Sequence, residues 1–306
     1  MLIADSPFEP VIKWSGSKRS VAGSLRHLFP RANRYFEPFV GGGAMLPFRP
    51  CRQAVAGDLI PELIDLWTCI RDRPAKTASE YERRWRKLQN EGHTGYYAVR
   101  DEFNRTRNPH DFLFLTRTCV NGLIRFNGEG NFNNSLHHTR PGISPQRLHE
   151  IILKWSLALP GVSFAVADYR ETLSVVGEGD LVFLDPPYAG TRGRYSQEKF
   201  ELKSFYGELE RLNGVGAKWV LTFDGYAGER SYKESLPSDL FRSRLALPTG
   251  NSPFTRLMRT GVDAVVESVY LNFEPPVKLL RGFSEQRDEE LARLPRGNME
   301  QRRLFA

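Results

Sequence analysis

Apolar and polar positions follow two different periods along the chain. Short apolar runs flanked by Gly, Pro and Asp are typical of buried strands, and longer stretches with apolar residues three or four apart are typical of helices. Strands are predicted at 34–36, 53–57, 162–167, 181–184, 219–223 and 268–273. Helices are predicted at 20–28, 78–89, 95–105, 111–120, 145–158 and 202–214, with two more starting near Ala44 and Pro61.

The order of these elements predicts an α/β fold in which a Rossmann-like sheet is interrupted by a helical insertion. Residues 1–70 and 151–275 alternate strand and helix, and we expect them to form one discontinuous domain. Residues 71–150 hold charged helical stretches and then a loop rich in Asn, Gly and His, which predicts a small helical domain. Residues 276–306 are charged and weakly patterned, which predicts a C-terminal tail.

Composition narrows the class of protein without naming a function. The 306 residues are 40% hydrophobic and 26% charged, and no apolar run reaches the roughly 20 residues needed to cross a bilayer. The formal net charge is +7, and residues 71–150 hold 14 Arg and Lys against nine Asp and Glu. This excess indicates an anionic partner, although a solvated charged face would give the same count. Three scattered cysteines and the absence of a leader pattern predict a cytoplasmic protein.

Three consecutive glycines, Gly41, Gly42 and Gly43, follow the predicted strand at 34–36. Glycines between a strand and a helix allow the backbone to turn sharply and to approach a ligand closely. Asp58 follows the next predicted strand, where a carboxylate can accept hydrogen bonds from ribose hydroxyls. The loop lacks the dinucleotide spacing GxGxxG, which disfavours NAD, and it lacks Gly-Lys-Ser/Thr, which disfavours a phosphate-binding P-loop. A nucleoside ligand and an ordinary tight turn both stay open.

The tetrapeptide Asp185-Pro186-Pro187-Tyr188 follows the apolar run at 181–184 and carries more specific chemistry. Its prolines stiffen the backbone and remove two N–H donors, which leaves nearby carbonyl oxygens able to accept hydrogen bonds. A carboxylate and a fixed carbonyl can together accept both hydrogens of an aromatic amine and direct its nitrogen lone pair at an electrophile. Tyr188 offers a face on which a base can stack. The alternative is a proline-rich strand exit with a capping Asp.

Other chemistries have less support in the sequence. The pair His137-His138 could bind a metal ion, but adjacent side chains rarely converge on one ion, and no Cys or carboxylate stands at ligand spacing. We therefore expect no metal. A serine hydrolase is not indicated, because the chain has no GxSxG sequence.

In this order, with an insertion between them, the glycine loop and the tetrapeptide resemble those of the Dam-type (D12 class) DNA adenine N6-methyltransferases. Further stretches are similar to the family's Lys-Trp-Ala-Gly-Gly-Lys, Asp-Ile-Asn and Asn-Gly-Leu-x-Arg-Tyr-Asn…Gly-x-Phe-Asn sequences and to a helix of its recognition domain. These stretches are 12–18, 58–60, 121–127, 130–133 and 96–104. The resemblance covers about residues 10 to 275.

The resemblance implies transfer of a methyl group from S-adenosyl-L-methionine to N6 of an adenine flipped out of double-stranded DNA. The implied catalytic residues are Asp185, Pro186, Pro187 and Tyr188. The implied cofactor-binding residues are Trp14, Lys18, Phe39, Gly41, Gly43, Asp58, Asp168 and Asp185. The implied DNA-binding residues are Arg117, Asn121, Arg125, Asn127 and Arg140, since Arg suits a guanine edge. A monomeric enzyme, bacterial or phage-encoded, is expected.

Departures from the family pattern and rival functions leave part of this interpretation open. Ser17 replaces a glycine, Val120 replaces an aromatic residue, and 136–140 differ from the family's loop, so the recognition sequence is left open between GATC and another site. Cytosine-N4 methylation uses the same geometry, but those enzymes more often have Ser before Pro-Pro. RNA or protein-glutamine methylation is a further rival, and the Arg125 sequence argues against both. The intact tetrapeptide argues against a non-catalytic DNA-binding regulator.

Overall fold

A computed structural model of the chain describes residues 8–139, 142–187, 200–227, 230–232, 236–251 and 264–275. The chain divides into two compact units, one ending at Trp219 and one beginning at Val220. Tyr188, Arg140 and the predicted tail at 276–306 lie outside the described residues, so the predictions made for them stay predictions.

Four parallel strands form the sheet of the first unit, in the order β3-β2-β1-β4. They are β1 (Tyr35–Glu37), β2 (Ala54–Asp58), β3 (Val162–Val166) and β4 (Leu181–Leu184). β1 lies between β2 and β4, with Tyr35 paired to Ala54 on one side and to Leu181 on the other. Every residue of β4 is buried and apolar, as expected for a strand covered on both faces.

α-Helices connect β2 to β3 and β3 to β4, whereas a 3-10 turn lies between β1 and β2. In the described ranges the α-helices are α1 (Ala22–Leu25), α2 (Pro61–Asp72), α3 (Pro74–Glu91), α4 (His93–Thr106), α5 (Pro109–Thr118), α6 (Pro145–Ala158), α7 (Tyr169–Leu173) and α8 (Leu202–Gly214). Proline occupies the first turn of α2, α3, α5 and α6, where its missing N–H removes no helical hydrogen bond. None of the helices described combines the length and the apolar character that crossing a membrane requires.

Helices α3, α4 and α5 occupy the segment predicted as a helical insertion, and they pack on one another and on α2 and α6. A buried ion pair joins α3 to α5, with Arg84 Nε donating to Asp111 Oδ1 at 2.5 Å. These helices belong to the same compact unit as the parallel strands. Residues 71–150 thus contain helices, as predicted. A separate domain there is not confirmed, because the helices and the parallel strands share one compact unit.

Antiparallel strands form the second unit. They are β5 (Lys218–Ala227), which begins just ahead of the unit, β6 (Arg230–Tyr232), β7 (Ser243–Asn251) and β8 (Ala264–Leu271). β8 pairs with both β5 and β7, and β6 pairs with β5. The sequence did not predict β7, because Pro248 and Gly250 interrupt its pattern. The pairing register with β8 shifts between those two residues.

The mixed α/β fold, with its parallel Rossmann-like strand order, confirms the predicted fold class. Each predicted strand overlaps an observed one, and the helices predicted at 145–158 and 202–214 have the predicted bounds. The helix expected near Ala44 is wrong, since only a 3-10 turn forms at Leu46–Phe48. Gly43 has a φ of +64°, and prolines at 47 and 50 remove the N–H donors that a helix would need.

Candidate active site

The carboxyl ends of the four parallel strands bring together residues that are far apart in sequence. The glycine loop follows β1, and Asp185 follows β4, the direct neighbour of β1. Asp58 ends β2, and Asp168 lies just beyond β3. Because the strands are parallel, these positions lie at one edge of the sheet, where open α/β sheets bind their ligands.

A cavity of about 710 Å³ opens at this edge of the sheet. Every residue predicted to bind the cofactor lines it, namely Trp14, Lys18, Phe39, Gly41, Gly43, Asp58, Asp168 and Asp185. Pro186 and Pro187 line it as well. Pockets for cofactors and small molecules usually measure roughly 300–1,000 Å³, so a ligand of nucleoside size fits this cavity.

The backbone of the glycine loop lies against two tryptophans. Gly41 has a φ of +43°, and a Cβ atom there would lie 2.5 Å from Trp14 Nε1. Gly43 has a φ of +64°, and its Cβ would lie 2.9 Å from Trp67 Cζ2. Trp67 Nε1 also donates a hydrogen bond to the Gly41 carbonyl oxygen at 3.0 Å. Glycine is therefore required at both positions, for conformation and for space.

The Asp58 carboxylate joins the glycine loop to β2. Its Oδ2 accepts a hydrogen bond from Gly41 N at 3.0 Å, and its Oδ1 accepts one from Ile60 N at 3.3 Å. Burial raises the pKa of Asp58 to about 6, while the bonds from these backbone amides act in the opposite direction. Each carboxylate oxygen has a second lone pair, so Asp58 can still accept hydrogen bonds from ligand hydroxyls.

Asp185 forms an ion pair with Lys18 beside the cavity. Lys18 Nζ lies 3.1 Å from Asp185 Oδ1, and the two side chains are 5% and 24% exposed. The ammonium is thus shielded from water, while the carboxylate keeps part of its surface open. This contact orients the carboxylate at the end of β4, next to the rigid Pro186-Pro187 backbone.

Glu37, at the end of β1, is a further carboxyl group lining the cavity, and the sequence pattern did not indicate it. It is buried, and its Oε2 accepts a hydrogen bond from the Tyr35 hydroxyl at 2.9 Å. Burial raises the pKa of Glu37 to about 8, and the negative charge of Asp185 also raises it, whereas Tyr35 and Arg49 lower it. Burial therefore favours the protonated form of Glu37, which reduces the negative charge of the site.

Glu37→Gln should stabilise the fold at neutral pH. An unfolded Glu loses its proton near pH 4.5, but folded Glu37 keeps it to about pH 8, so the wild type loses stability as the pH rises between these values. Gln has no proton to lose and keeps an oxygen for Tyr35. The variant's free energy of unfolding at pH 7 should exceed that of the wild type by on the order of 2 kcal/mol.

Denaturant unfolding at pH 5, 7 and 8 measures this difference. The gap between Glu37→Gln and wild type should widen as the pH rises from 5 to 8. Glu178→Gln, which changes an exposed glutamate, controls for the loss of one acidic group. A gap that stays constant with pH would show that Glu37 is ionised in the folded protein.

Aromatic side chains form part of the cavity wall. Phe39 stacks on Tyr169 with ring centroids 5.5 Å apart, and Phe200 lies within 6.1 Å of Phe39. Asp168 caps α7, its Oδ1 accepting from Arg170 N at 3.0 Å and from Arg170 Nε at 2.6 Å. The sequence pattern did not indicate three further lining residues, Tyr169, Arg170 and Phe200. The position of Tyr169, directly after Asp168 at a strand's carboxyl end, was the signal that could have identified it.

The residues predicted to bind DNA have different surroundings. Asn121, Arg125 and Asn127 are exposed in the loop after α5. Arg117 is only 6% exposed, because α5 is buried along most of its length, and its Nη1 donates to the Pro10 carbonyl oxygen at 3.2 Å. Burial lowers the pKa of Arg117. Its position is that of a structural residue, so we leave it out of the proposed DNA surface.

The histidines of the same segment have neighbours other than metal ligands. The His138 ring lies 5.3 Å from the ring of His93, and His137 Nδ1 accepts a hydrogen bond from Thr139 N at 3.3 Å. In the part of the chain that the structure describes, no group of three or more His, Cys, Asp or Glu side chains could hold a metal ion.

Comparison with known proteins gives consistent matches. The family model for D12 class N6 adenine-specific DNA methyltransferases matches residues 14–223. The DNA N-6-adenine-methyltransferase of Escherichia phage P1 is 31% identical over 228 residues, which are 70% of this chain and 30% of that protein. The retron Ec67 DNA adenine methylase of Escherichia coli is 30% identical over 198 residues, 62% of this chain and 67% of the relative. The DNA adenine methylase of Serratia marcescens is 28% identical over 202 residues, 63% and 72% of the two chains.

Proposed function

The chain belongs to the D12 class N6 adenine-specific DNA methyltransferase family, and from this premise we propose that it transfers a methyl group from S-adenosyl-L-methionine to N6 of adenine in double-stranded DNA. One observation carries the proposal. Asp185 and Pro186 line the same cavity as the glycine loop and Asp58. The groups that can bind an aromatic amine thus lie beside those that can bind a nucleoside cofactor, as methyl transfer from the cofactor to the amine requires.

The cavity residues fit S-adenosyl-L-methionine, which supplies an activated methyl group on a sulfonium sulfur. Asp58 would accept hydrogen bonds from the ribose hydroxyls. Phe39 and Phe200 offer apolar faces for the adenine ring, and Asp168 would accept from its amino group. At Gly41 and Gly43 the missing side chains leave room for Trp14 and Trp67, which lets the loop backbone line the cavity where the ligand would bind.

Asp185 would perform the central task in catalysis. Its carboxylate and the Pro186 carbonyl oxygen would each accept one hydrogen of the target amino group, which takes the nitrogen lone pair out of conjugation. The carboxylate then stabilises the positive charge that develops on N6 in the transition state. Lys18, 3.1 Å from Oδ1, would hold the carboxylate in this orientation.

The target adenine must leave the base stack to reach this cavity, so we propose that the enzyme flips it out of the duplex. Tyr188 would stack on the flipped base, as the sequence predicts. Asn121, Arg125 and Asn127 would contact the DNA from the exposed loop after α5, with Arg125 reading a guanine edge. We expect the enzyme to act as a monomer in the cytoplasm of a bacterial host.

Expression in a host that lacks DNA methylation, followed by sequencing of modified bases, tests the proposed function. N6-methyladenine in one short motif, absent with an Asp185→Asn control, would support it and would also give the recognition sequence. N4-methylcytosine would identify a cytosine enzyme instead. A wild-type protein that binds DNA but leaves no mark on any base would overturn the proposal in favour of a regulator.

A further inference from the structure

A short hairpin in the loop after α5 is held by the side chain of Asn127. Its Oδ1 accepts hydrogen bonds from the backbone N of Glu129 at 3.1 Å and from that of Asn131 at 2.8 Å. Its backbone N donates to the Asn131 carbonyl at 2.9 Å. Gly130 completes the turn with a φ of +77°. The Asn side chain thus sets the pairing register of the hairpin.

The next pair of the hairpin fixes it to the helices. Phe126 and Phe132 form a bridge, with ring centroids 6.0 Å apart, and both rings lie within 6.5 Å of Phe103 on α4. Arg107 donates to the Gly130 carbonyl at 2.6 Å. The hairpin is therefore a supported element, and residues beyond this bridge hold defined positions.

The third pair joins Arg125 to Asn133. The backbone N of Asn133 donates to the Arg125 carbonyl at 3.0 Å, so the two residues lie opposite each other. Arg125 Nε donates to Asn133 Oδ1 at 2.9 Å. Within the described ranges, the Arg125 side chain has no other hydrogen bond, and it is exposed. The bond therefore restrains the guanidinium while its Nη groups face no partner in the described part of the protein.

We propose that Asn133 is a positioning residue, which orients the Arg125 guanidinium for bidentate contact with a base. This inference rests on the proposed function, and it adds a residue that does not itself touch the DNA. Bidentate contact with a guanine edge uses two parallel N–H groups of the planar guanidinium. The Nε–H, which donates to Asn133, is then available to hold the guanidinium plane in place. Fixing an arginine before binding lowers the entropy lost on contact.

A purely structural role would predict a different outcome. A hydrogen bond between exposed side chains adds little to folding stability, because water competes for both partners. Loss of the Asn133 side chain should therefore leave the melting temperature nearly unchanged. The effect is expected in base discrimination, which only a residue acting through Arg125 would alter.

The test compares Asn133→Ala, Asn133→Asp, Arg125→Ala and the double alanine variant. For each, kcat/KM is measured on the cognate duplex and on duplexes with one base pair changed. Asn133→Ala should lower cognate kcat/KM about tenfold and reduce discrimination at a single base pair. Asn133→Asp keeps an acceptor for Nε and should restore discrimination. Asn133→Ala should add no further loss in the Arg125→Ala background.

A duplex-binding measurement by fluorescence anisotropy separates this inference from the proposed function. If the wild type binds DNA without methylating it, the proposed function fails, while the same four variants compared by affinity and base preference still test Asn133. Additive losses in the double variant, or a large drop in melting temperature for Asn133→Ala, would overturn the positioning role. Equal discrimination by Asn133→Ala and wild type would overturn it as well.

Discussion

Asp185→Asn should lower the kcat for DNA methylation about 1,000-fold or more while changing the affinity for DNA little. The amide preserves the volume of the carboxylate but has no negative charge to stabilise the positive charge developing on the target nitrogen. One of its polar atoms also becomes a donor, which cannot accept an amino hydrogen. Because the carboxylate acts mainly in the transition state, the loss should fall on kcat and not on KM.

Single-turnover methylation of a duplex containing the mapped site measures this effect, with anisotropy reporting DNA affinity. Asp185→Ala should be at least as inactive. Asp65→Asn is a matched control, since Asp65 is exposed on α2 and does not line the cavity, and it should keep the wild-type rate. An Asp185→Asn enzyme that retains most of its turnover would refute the assignment of Asp185 as the residue that activates the amine.

Gly41→Ala should weaken binding of S-adenosyl-L-methionine about 100-fold. The added Cβ would lie 2.5 Å from Trp14 Nε1, and the φ of +43° is strained for any residue with a side chain. The loop must therefore shift, which also disturbs the bonds from Trp67 to Gly41 O and from Gly41 N to Asp58. A displacement of this kind would move the glycine loop and the Asp58 carboxylate together.

Isothermal titration calorimetry with the cofactor measures this change, and thermal unfolding checks that the variant is folded. Gly23→Ala is the matched control: Gly23 lies in α1, and a Cβ there would meet nothing within 4 Å. It should bind cofactor like the wild type and be slightly more stable, because Ala favours helix over Gly. Unchanged cofactor affinity in Gly41→Ala would mean that the glycine loop does not form the binding surface.

Local pattern was sufficient for much of the secondary structure. The run at 181–184 is short, apolar and bounded by Asp, and it forms β4 at those residues. The spacing at 145–158 buries one helical face and forms α6 at those residues. The prediction failed where prolines and glycines that favour a turn stood within an apolar stretch. Residues near Ala44 had apolar spacing, but the prolines that follow allow only a 3-10 turn.

Some properties of the site depend on neighbours that no local pattern contains. Glu37 sits at a strand end like many glutamates, and only its burial, beside Tyr35 and Asp185, raises its pKa to about 8. Arg117 had the charge expected of a DNA contact, but α5 is buried, so the guanidinium lies in the interior. Charge is a property of the residue, whereas solvation is a property of its position.

The sequence by itself determined which chemical groups the protein has and in which local conformations they stand: a glycine turn after one strand, and Asp-Pro-Pro after another. These depend on residue type and on neighbours a few positions away. Only the tertiary structure decided that the two strands are adjacent, since parallel β1 and β4 pair across a long stretch of chain. Long-range pairing reflects the burial of many side chains at once, which no short segment of sequence specifies.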